Sequence, residues 1–455
     1  MTAAITRRFQ DSFYKTLISI VLPITIQQLM MALVSATDAI MLGLVDQTSL
    51  SSVSLATQVQ FVLGLFVGGI AGGLGILAAQ YWGKQDCRTI EHLVPLALRL
   101  TLGLGVFFTA AALIFPQQLM LIFTNEQELV VCGGGYLRAV AFSYLLFSIS
   151  QIYLNLLKNT GRVAVSSRIS AVTVVLNIIL NAILIFGLLG LPALGIVGAA
   201  YATVISRLVE LLWAAAETRR GDIVRVRWNK LFYTDRLLAK DFRTCTTPLL
   251  GAWLVWGVAY VLYSVIMGHM GSDAVAANSV ASIVKSLLFC LCEGVASGTG
   301  IMVGNLLGAG RLDQAKKYAA RLTKLTVVIG LCTGGLLAAL SPLVVAAAPL
   351  EGEAGRYLQA MLLFSAVYIV AKAANGTVLN GIFCAGGDAK FDMLGNVGAM
   401  WLFTVPFGFL AAFVLKWNVL AVYCIINLDE IVKLPAVFLH YKKYVWLKDL
   451  TRDQA

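Results

Sequence analysis

The chain has 455 residues, of which 59% are hydrophobic and only 13% are charged, and its mean hydropathy is +0.84. A soluble protein carries about 25% charged residues, so the composition excludes a soluble globular protein and indicates a membrane protein. The net charge of +11 would suggest nucleic-acid binding in a soluble protein, but here the basic residues lie in loops between apolar segments, where positive charge faces anionic lipid.

Twelve apolar segments follow one another along the chain. Crossing a bilayer takes roughly 20 apolar residues. In lipid every backbone polar group must be paired within its own segment, so each segment is predicted to be a helix. The predicted fold is an all-α polytopic membrane protein with 12 transmembrane helices. The predicted spans are 14–44, 51–80, 92–116, 133–158, 165–188, 194–216, 240–270, 278–305, 320–347, 357–384, 391–415 and 417–441.

Lys and Arg lie mainly in alternate loops, which predicts the direction in which the chain crosses the membrane. Basic residues precede span 1 and fill the 2–3, 4–5 and 8–9 loops, the central connector and the tail. The loops between them hold acidic residues such as Asp46, Glu126 and Asp273. The positive-inside rule places both termini in the cytoplasm. We expect a multi-pass protein of the plasma (inner) membrane, embedded in the lipid bilayer as a monomer.

The second half of the chain repeats the first at a fixed offset of 225 residues. Pro23 matches Pro248 in this alignment. Gly83 matches Gly308. Each repeat holds six predicted spans, an even number, so both copies begin on the same side and are related by a pseudo-two-fold axis along the membrane normal. The predicted units are an N-lobe at 1–216, a basic cytoplasmic connector at 217–239 and a C-lobe at 240–455.

The duplication also bears on function. A tandem repeat of intramembrane halves is the usual plan of secondary transporters, with the substrate site between the halves near the bilayer midplane. The chain contains no Walker A loop and no soluble catalytic motif, so we expect neither an enzyme nor a pump that uses ATP within this chain. We also expect no nucleic-acid partner.

The candidate residues of the first half lie in the outer parts of spans 1, 5 and 6. Asp38 lies about 10 Å inside the outer boundary, counted at roughly 1.5 Å per residue. A carboxylate buried in lipid normally has a partner and a function; the alternative is an interfacial Asp that extends outward. Asn177 and Asn181 share one helix face, and Thr203 lies at similar depth. This set can hold Na⁺, or its carboxylate can carry a proton; the alternative is hydrogen bonding between packed helices.

The second half carries charged residues inside its own spans. Lys285 and Lys372 fall well within spans 8 and 10, and Glu293 also lies in span 8. A buried ammonium requires a carboxylate, water or an anionic ligand, so the lysines can pair with Glu293, line a water-filled cavity or bind an anionic group. Glu430 and Lys433 have the spacing of a structural ion pair. The predicted substrate cavity comprises Gln27, Met31, Trp256, Tyr260, Tyr263, Lys285, Glu293, Lys372 and Asn375.

Motifs along the whole chain resemble one family of transporters. The matching segments are TDAIMLG at 37–43, GILAAQYWGKQD at 75–86, NTGRVAVSSRISAVTVVLNIILNAILIFG at 159–187, GIVGAAYATVISR at 195–207, GIMVGNLLGAGRLDQAKK at 300–317 and DEIVKLP at 429–435. In this combination the chain resembles the multidrug and toxic compound extrusion (MATE) family, of the multidrug/oligosaccharidyl-lipid/polysaccharide flippase superfamily. The resemblance implies two six-helix lobes around a central cavity.

The resemblance also implies a function and a coupling site. It implies an antiporter that exports organic cations or amphiphiles by alternating access, driven by inward Na⁺ or H⁺ and needing no other cofactor. The implied cation site consists of Asp38, Asn177, Asn181 and Thr203, with the carbonyl of Ala199 as a further ligand; a bound Na⁺ would lie at Asp38, Asn177 and Asn181.

At two positions the chain departs from the pattern of the family, and this affects where the coupling ion is expected to bind. The acidic positions of the family's second cation site read Trp256 and Asn375 here, so coupling is expected to rest on the first half. The alternative function is a flippase for lipid-linked or polysaccharide precursors. Twelve spans favour the exporter, whereas Lys285 and Lys372 leave the flippase open.

Overall fold

The computed structural model describes residues 2–220, 224, 226, 231, 235–348, 350 and 352–452. Within these residues the chain forms helices and turns, with no β-strand. The helices of the first half are α1 (Thr2–Gly43), α2 (Gln47–Gly83), α3 (Cys87–Ile114), α4 (Pro116–Leu121), α5 (Gln127–Asn159), α6 (Val163–Phe186) and α7 (Gly195–Arg220). In the predicted connector at 217–239, residues 221–223, 225, 227–230 and 232–234 lie outside the described residues.

The second half repeats this series of long helices. Its helices are α8 (Arg236–Gly268), α9 (Ser272–Gly308), α10 (Leu312–Ala347), α11 (Glu353–Asn375), α12 (Ala389–Asn396), α13 (Val405–Phe409), α14 (Val419–Ile426) and α15 (Asp429–Tyr441). α11 runs on into a π-helical segment, Gly376–Phe383, and a second π-helical segment, Val397–Thr404, joins α12 to α13. In the described part of the chain, eleven helical segments are long and apolar enough to cross a membrane.

The twelfth predicted span, 417–441, is not one continuous helix. α14 ends at Ile426, and the side chain of Asn427 donates a hydrogen bond to the carbonyl of Tyr423 at 2.9 Å. The chain turns there and α15 begins at Asp429, whose carboxylate and that of Glu430 lie in the first turn, where the helix dipole favours negative charge. The predicted all-α polytopic fold is confirmed, with its last span divided into two helices.

Contacts divide the chain into two compact units. The first, called here the C-terminal unit, comprises Met1–Gln28, Ala79–Gln85 and Thr247–Ala455. The second, the N-terminal unit, comprises Leu29–Ala78 and Asp86–Thr246. Helices α1, α2 and α8 therefore contribute to both units, whereas each lobe predicted from the repeat comprises six whole spans.

The core of the N-terminal unit orients two of the candidate polar residues. Leu42 of α1 and Ile185 of α6 are both buried in this core, and they lie one helical turn beyond Asp38 and Asn181 respectively. Residues four apart share a face of a helix. Burial of the two apolar side chains therefore turns Asp38 and Asn181 toward the interior of the unit.

In the C-terminal unit, the ends of α2 and α9 pack with their backbones in direct contact. A methyl group added at Gly83 would overlap the carbonyl oxygen of Asn305, and one added at Gly308 would overlap that of Gln80. Gly83 and Gln80 match Gly308 and Asn305 at the repeat offset of 225. The contact is therefore reciprocal, each copy of the repeat supplying the glycine that admits the other's backbone.

Candidate functional site

Asp38 on α1 and Asn181 on α6 are joined by a short hydrogen bond inside the N-terminal unit. Nδ2 of Asn181 donates to Oδ1 of Asp38 at 2.6 Å and lies 3.3 Å from Oδ1 of Asn177. Asn181 is 1% exposed and Asn177 is 7% exposed. The structure thus brings together three of the residues predicted for the cation site, and the i, i+4 spacing of the two asparagines places both amides on the face of α6 toward Asp38.

One buried oxygen of this group has no partner. Oδ1 of Asn181 makes no hydrogen bond to any part of the chain that the structure describes. Buried polar atoms are nearly always satisfied by protein, water or an ion. The amide oxygen of Asn181, beside the carboxylate of Asp38, is therefore a place where a cation or a proton-bearing group can be accepted.

Thr203 and Ala199 lie on α7 and bond to each other. The hydroxyl of Thr203 donates to the carbonyl of Ala199, one turn earlier in the same helix, at 3.0 Å. No hydrogen bond joins either residue to Asp38 in the described chain. Their participation in ion binding stays a prediction.

Tyr136 of α5 is a neighbour of Asp38 that sequence reasoning missed. Its side chain is buried in the core of the N-terminal unit, and its hydroxyl lies within electrostatic range of the Asp38 carboxylate. A single tyrosine in an apolar span has no periodicity or spacing that links it to a carboxylate in another helix, so no sequence signal could have identified it.

Two adjoining cavities open in the C-terminal unit, and both contain predicted substrate residues. The first, of about 120 Å³, contains Lys285, Lys372 and Asp429 and is called here the basic cavity. The second, of about 160 Å³, is called the acidic cavity, and its charged lining residues are Glu293, Asp392, Glu430, Lys372 and Lys433. The residues shared by the two linings are Trp256, Phe289 and Lys372.

Seven of the nine predicted substrate residues line these cavities. They are Trp256, Tyr260, Tyr263, Lys285, Glu293, Lys372 and Asn375. Gln27 and Met31 are not among the residues that line these two cavities. Aromatic rings form much of the wall, and Trp256 stacks on Tyr260 with ring centroids 5.5 Å apart.

The two half-buried lysines, Lys285 and Lys372, differ in their surroundings. Nζ of Lys285 donates to the hydroxyl of Tyr423 at 3.1 Å and lies 5.4 Å from the centre of that ring. Nζ of Lys372 lies 4.5 Å from the centre of the Phe289 ring and forms no hydrogen bond or ion pair with the residues the structure describes. Neither lysine forms an ion pair with Glu293, although the sequence left that pairing open.

A network of buried polar side chains forms one wall of the acidic cavity. Lys433 donates to Oδ1 of Asn396 at 2.9 Å and to Oε1 of Glu430 at 3.2 Å, which is the predicted ion pair of the last span. Asn375 donates to Oε2 of Glu430 at 2.8 Å, and Asn396 donates to Asp392 at 3.4 Å. Sequence reasoning missed Asp392, because its link to Lys433 through Asn396 connects different helices.

Comparison with known proteins identifies the family of this chain. The family model MatE matches residues 23–183 and again 248–410, and these matches begin 225 residues apart, as the internal repeat predicts. A probable multidrug resistance protein NorM of Rhizobium meliloti is 28% identical over 313 residues, which cover 68% of this chain and 66% of that protein. Multidrug resistance protein MdtK of Edwardsiella ictaluri is 24% identical over 403 residues, covering 88% of this chain and 87% of that protein.

Solved structures show the same fold. An outward-facing multidrug resistance MATE family transporter of the MOP superfamily superposes with a TM-score of 0.86 at 20% identity, covering 95% of each chain. An MOP superfamily transporter from Pyrococcus furiosus, described as having a binding pocket of reverse polarity, superposes with a TM-score of 0.85 at 20% identity over 95% of each chain. Since the family model spans most of both halves, this chain belongs to the MatE family of membrane transporters and is not an enzyme.

Proposed function

We propose that the protein exports organic compounds by alternating access, in exchange for the inward movement of one cation bound at Asp38. The observation that carries this proposal is the 2.6 Å hydrogen bond between Asp38 and Asn181 among the apolar helices of the N-terminal unit. The relatives named as multidrug resistance proteins support the export of small organic molecules. In this proposal the protein works as a monomer in the plasma membrane with both termini in the cytoplasm.

Asp38 is suited to couple the two movements because its charge changes when it binds an ion. A ligand shifts a conformational equilibrium only by its difference in affinity for the two states. A charged carboxylate surrounded by lipid or apolar side chains is unfavourable in free energy. When Asp38 is charged, it therefore favours a conformation in which water reaches it. Neutralising it removes that cost and permits the other state.

A proton fits the described oxygen atoms better than Na⁺ does. The Asn177 oxygen already accepts from Asn181, and the Ala199 carbonyl already accepts from Thr203. The carboxylate of Asp38 and the amide oxygen of Asn181, which accepts no hydrogen bond in the described chain, lie side by side. A proton needs only the carboxylate, whereas a metal cation needs several oxygens directed at one point. We therefore propose H⁺ as the coupling ion, with Na⁺ as the alternative.

The test of this function is dye efflux from a bacterium that lacks its own pumps. Cells expressing the protein are loaded with an organic cationic dye and energised with and without Na⁺. We expect efflux that a protonophore abolishes and that does not require Na⁺. Efflux that needs Na⁺ and survives the protonophore would replace H⁺ by Na⁺ as the coupling ion. Absence of efflux, with movement of a lipid-linked sugar in vesicles instead, would favour the flippase.

The hydrogen bond to Asp38 leads to a graded prediction for the two asparagines. Asn181→Ala removes the donor at 2.6 Å from Asp38, whereas Asn177→Ala removes only the acceptor at 3.3 Å from Asn181. A hydrogen bond to a charged group contributes about 1.5–3 kcal/mol, so we expect Asn181→Ala to slow ion-driven efflux about tenfold or more. Asn177→Ala should have a smaller effect. Equal efflux from both variants and the wild type would mean that the amides only join helices.

The number of coupling ions is a further prediction. The carboxylates Asp429 and Glu430 of the C-terminal unit already lie beside Lys433, at 3.9 and 3.2 Å, so we expect a single ion per transporter, bound in the N-terminal unit. Proton release on substrate binding and equilibrium binding of radioactive sodium measure this number in purified protein. Two independent sites would contradict the prediction.

A further inference from the structure

Residues 442–452, called here the C-terminal strap, follow α15 as turns and irregular backbone, yet they pack within the C-terminal unit. The side chain of Trp446 is 0% exposed and stacks on Tyr441, with ring centroids 5.9 Å apart. A methyl group added at Gly386, in the turn before α12, would overlap the carbonyl of Trp446. A segment of this kind is ordered only where the rest of the protein holds it, so the bonds that hold the strap decide when it can leave.

One side chain of α2 makes the central bonds to the strap. Gln80 is 0% exposed; its Nε2 donates to the carbonyl of Lys448 at 3.3 Å, and its Oε1 accepts from the N–H of Leu450 at 2.7 Å. A primary amide carries a donor and an acceptor side by side, so it pairs with the strap as the backbone of a neighbouring strand would. The same Nε2 donates to the carbonyl of Ala385 at 2.7 Å. Gln80 therefore joins the strap, α2 and the turn before α12 at one point.

Two further bonds join the strap to the end of α2 and the residue that follows it. The N–H of Arg452 donates to the hydroxyl of Tyr81 at 3.3 Å, and Nζ of Lys84 donates to the carbonyl of Arg452 at 3.0 Å. The chain belongs to the N-terminal unit up to Ala78 and to the C-terminal unit from Ala79 to Gln85. The strap therefore holds the part of α2 that has passed into the C-terminal unit.

Gln80 also takes part in the contact between the ends of α2 and α9. Its backbone carbonyl lies against Gly308 of α9, while its side chain holds the strap. We propose that the strap is a latch, which holds this contact closed while it is bound to Gln80 and leaves when the protein opens to the cytoplasm. Gln80 is the positioning residue of this step. The inference rests on the proposed function, which supplies alternating access and places this side of the protein in the cytoplasm.

The latch is expected to follow the charge on Asp38. The sequence places Asp38 in the outer part of the first span, and a charged carboxylate favours the conformation in which water reaches it. The charged form therefore favours the conformation that is open to the outside and latched at Gln80. Removing the charge permits the other conformation, and the population with a released strap rises.

Cleavage after Lys448 by the protease Lys-C measures release of the strap. The side chain of Lys448 is exposed, but its carbonyl, which belongs to the peptide bond that is cut, accepts a hydrogen bond from Gln80. A protease binds the backbone on both sides of that bond, so the strap must leave Gln80 first. The rate then follows the released population when release and rebinding are fast. Purified full-length protein in detergent is digested, and mass spectrometry follows the loss of the residues after Lys448.

Gln80→Met should raise the rate of cleavage after Lys448 about tenfold. Methionine keeps the length of the side chain and removes its bonds to the strap, and a change of this size is the scale of one or two hydrogen bonds. Gln85→Ala is the matched control. Gln85 is exposed, and its side chain donates to the carbonyl of Trp82 at 3.1 Å, so this variant should be cut at the wild-type rate.

Asp38→Asn should also raise this rate severalfold, whereas Asp46→Asn should not, and neither substitution alters the strap. A wild-type rate for Gln80→Met would overturn the inference, because the strap would then be held by other contacts. Equal rates for Asp38→Asn and Asp46→Asn would also overturn it, because the strap would then stay bound in both conformations. If Gln80→Met does not fold, the comparison of Asp38→Asn with Asp46→Asn tests the latch without it.

The digestion requires neither an ion gradient nor a substrate, so the latch and the proposed export are tested separately. A protein whose cleavage responds as expected but that exports no dye rejects only the proposed export. A protein that exports dye without these changes in cleavage rejects only the latch.

Discussion

Asp38→Asn is expected to reduce ion-driven efflux to the level of cells that lack the transporter. The amide has the shape of the carboxyl and can still accept the hydrogen bond from Asn181, so the local packing is preserved. It cannot take up or release a proton, and it carries no charge for a metal cation. Binding of the ion then no longer differs between the two conformations, and exchange loses its driving force. The measurement is dye efflux normalised to the amount of transporter in the membrane.

Asp46→Asn is the matched control for this experiment. Asp46 lies eight residues further along the chain, in the turn before α2. It accepts hydrogen bonds from the backbone N–H and the hydroxyl of Ser49 at 2.6 and 2.7 Å, and these bonds hold the pKa of its carboxyl below the usual value. Asparagine is also favoured at the N-cap of a helix, so the Asp46→Asn variant should retain efflux. Wild-type efflux from Asp38→Asn would rule out the proposed coupling site.

Gly308→Ala is expected to destabilise the C-terminal unit strongly. The added methyl group would overlap the backbone carbonyl of Gln80, and a backbone atom cannot move aside as a flexible side chain can. The side chain of Gln80 is itself held in place, because it donates to the carbonyl of Ala385 and accepts from the N–H of Leu450, both at 2.7 Å. Overpacking of this kind costs about 3 kcal/mol at the upper end of its usual range. We expect a clear fall in the thermal unfolding temperature of the purified protein.

The reciprocal contact supplies both a second variant and a control. Gly83→Ala should have a similar effect, because its methyl group would overlap the carbonyl of Asn305. Gly335→Ala makes the same change inside α10, where no atom lies within 4 Å of the added methyl. Alanine has a higher helix propensity than glycine, so this variant should unfold at the wild-type temperature or above it. Equal stability of all three variants would mean that the ends of α2 and α9 can separate freely.

Much of the candidate cation site follows from local features of the sequence. A lone carboxylate inside an apolar span and two asparagines four residues apart on another span were enough to associate Asp38 with Asn177 and Asn181. The structure brings these three together. Thr203 is predicted to lie at similar depth; its hydroxyl donates to Ala199 within its own helix, and its part in ion binding stays a prediction. Depth in the membrane can be counted along a span, whereas the direction of a hydroxyl depends on its local rotamer.

The sequence by itself determined the transmembrane helices, the duplication and the family, because hydropathy, charge in loops and repeat spacing are properties of the chain read in order. Only the tertiary structure decided which buried charges have partners. Lys285 bonds to Tyr423, 138 positions away, whereas Lys372, which also lies within its span, has no such bond to the described chain. Asp392 joins Lys433 through Asn396, and the last span breaks at Asn427. These outcomes depend on how each helix is rotated against its neighbours, which is set by packing between residues far apart in the chain.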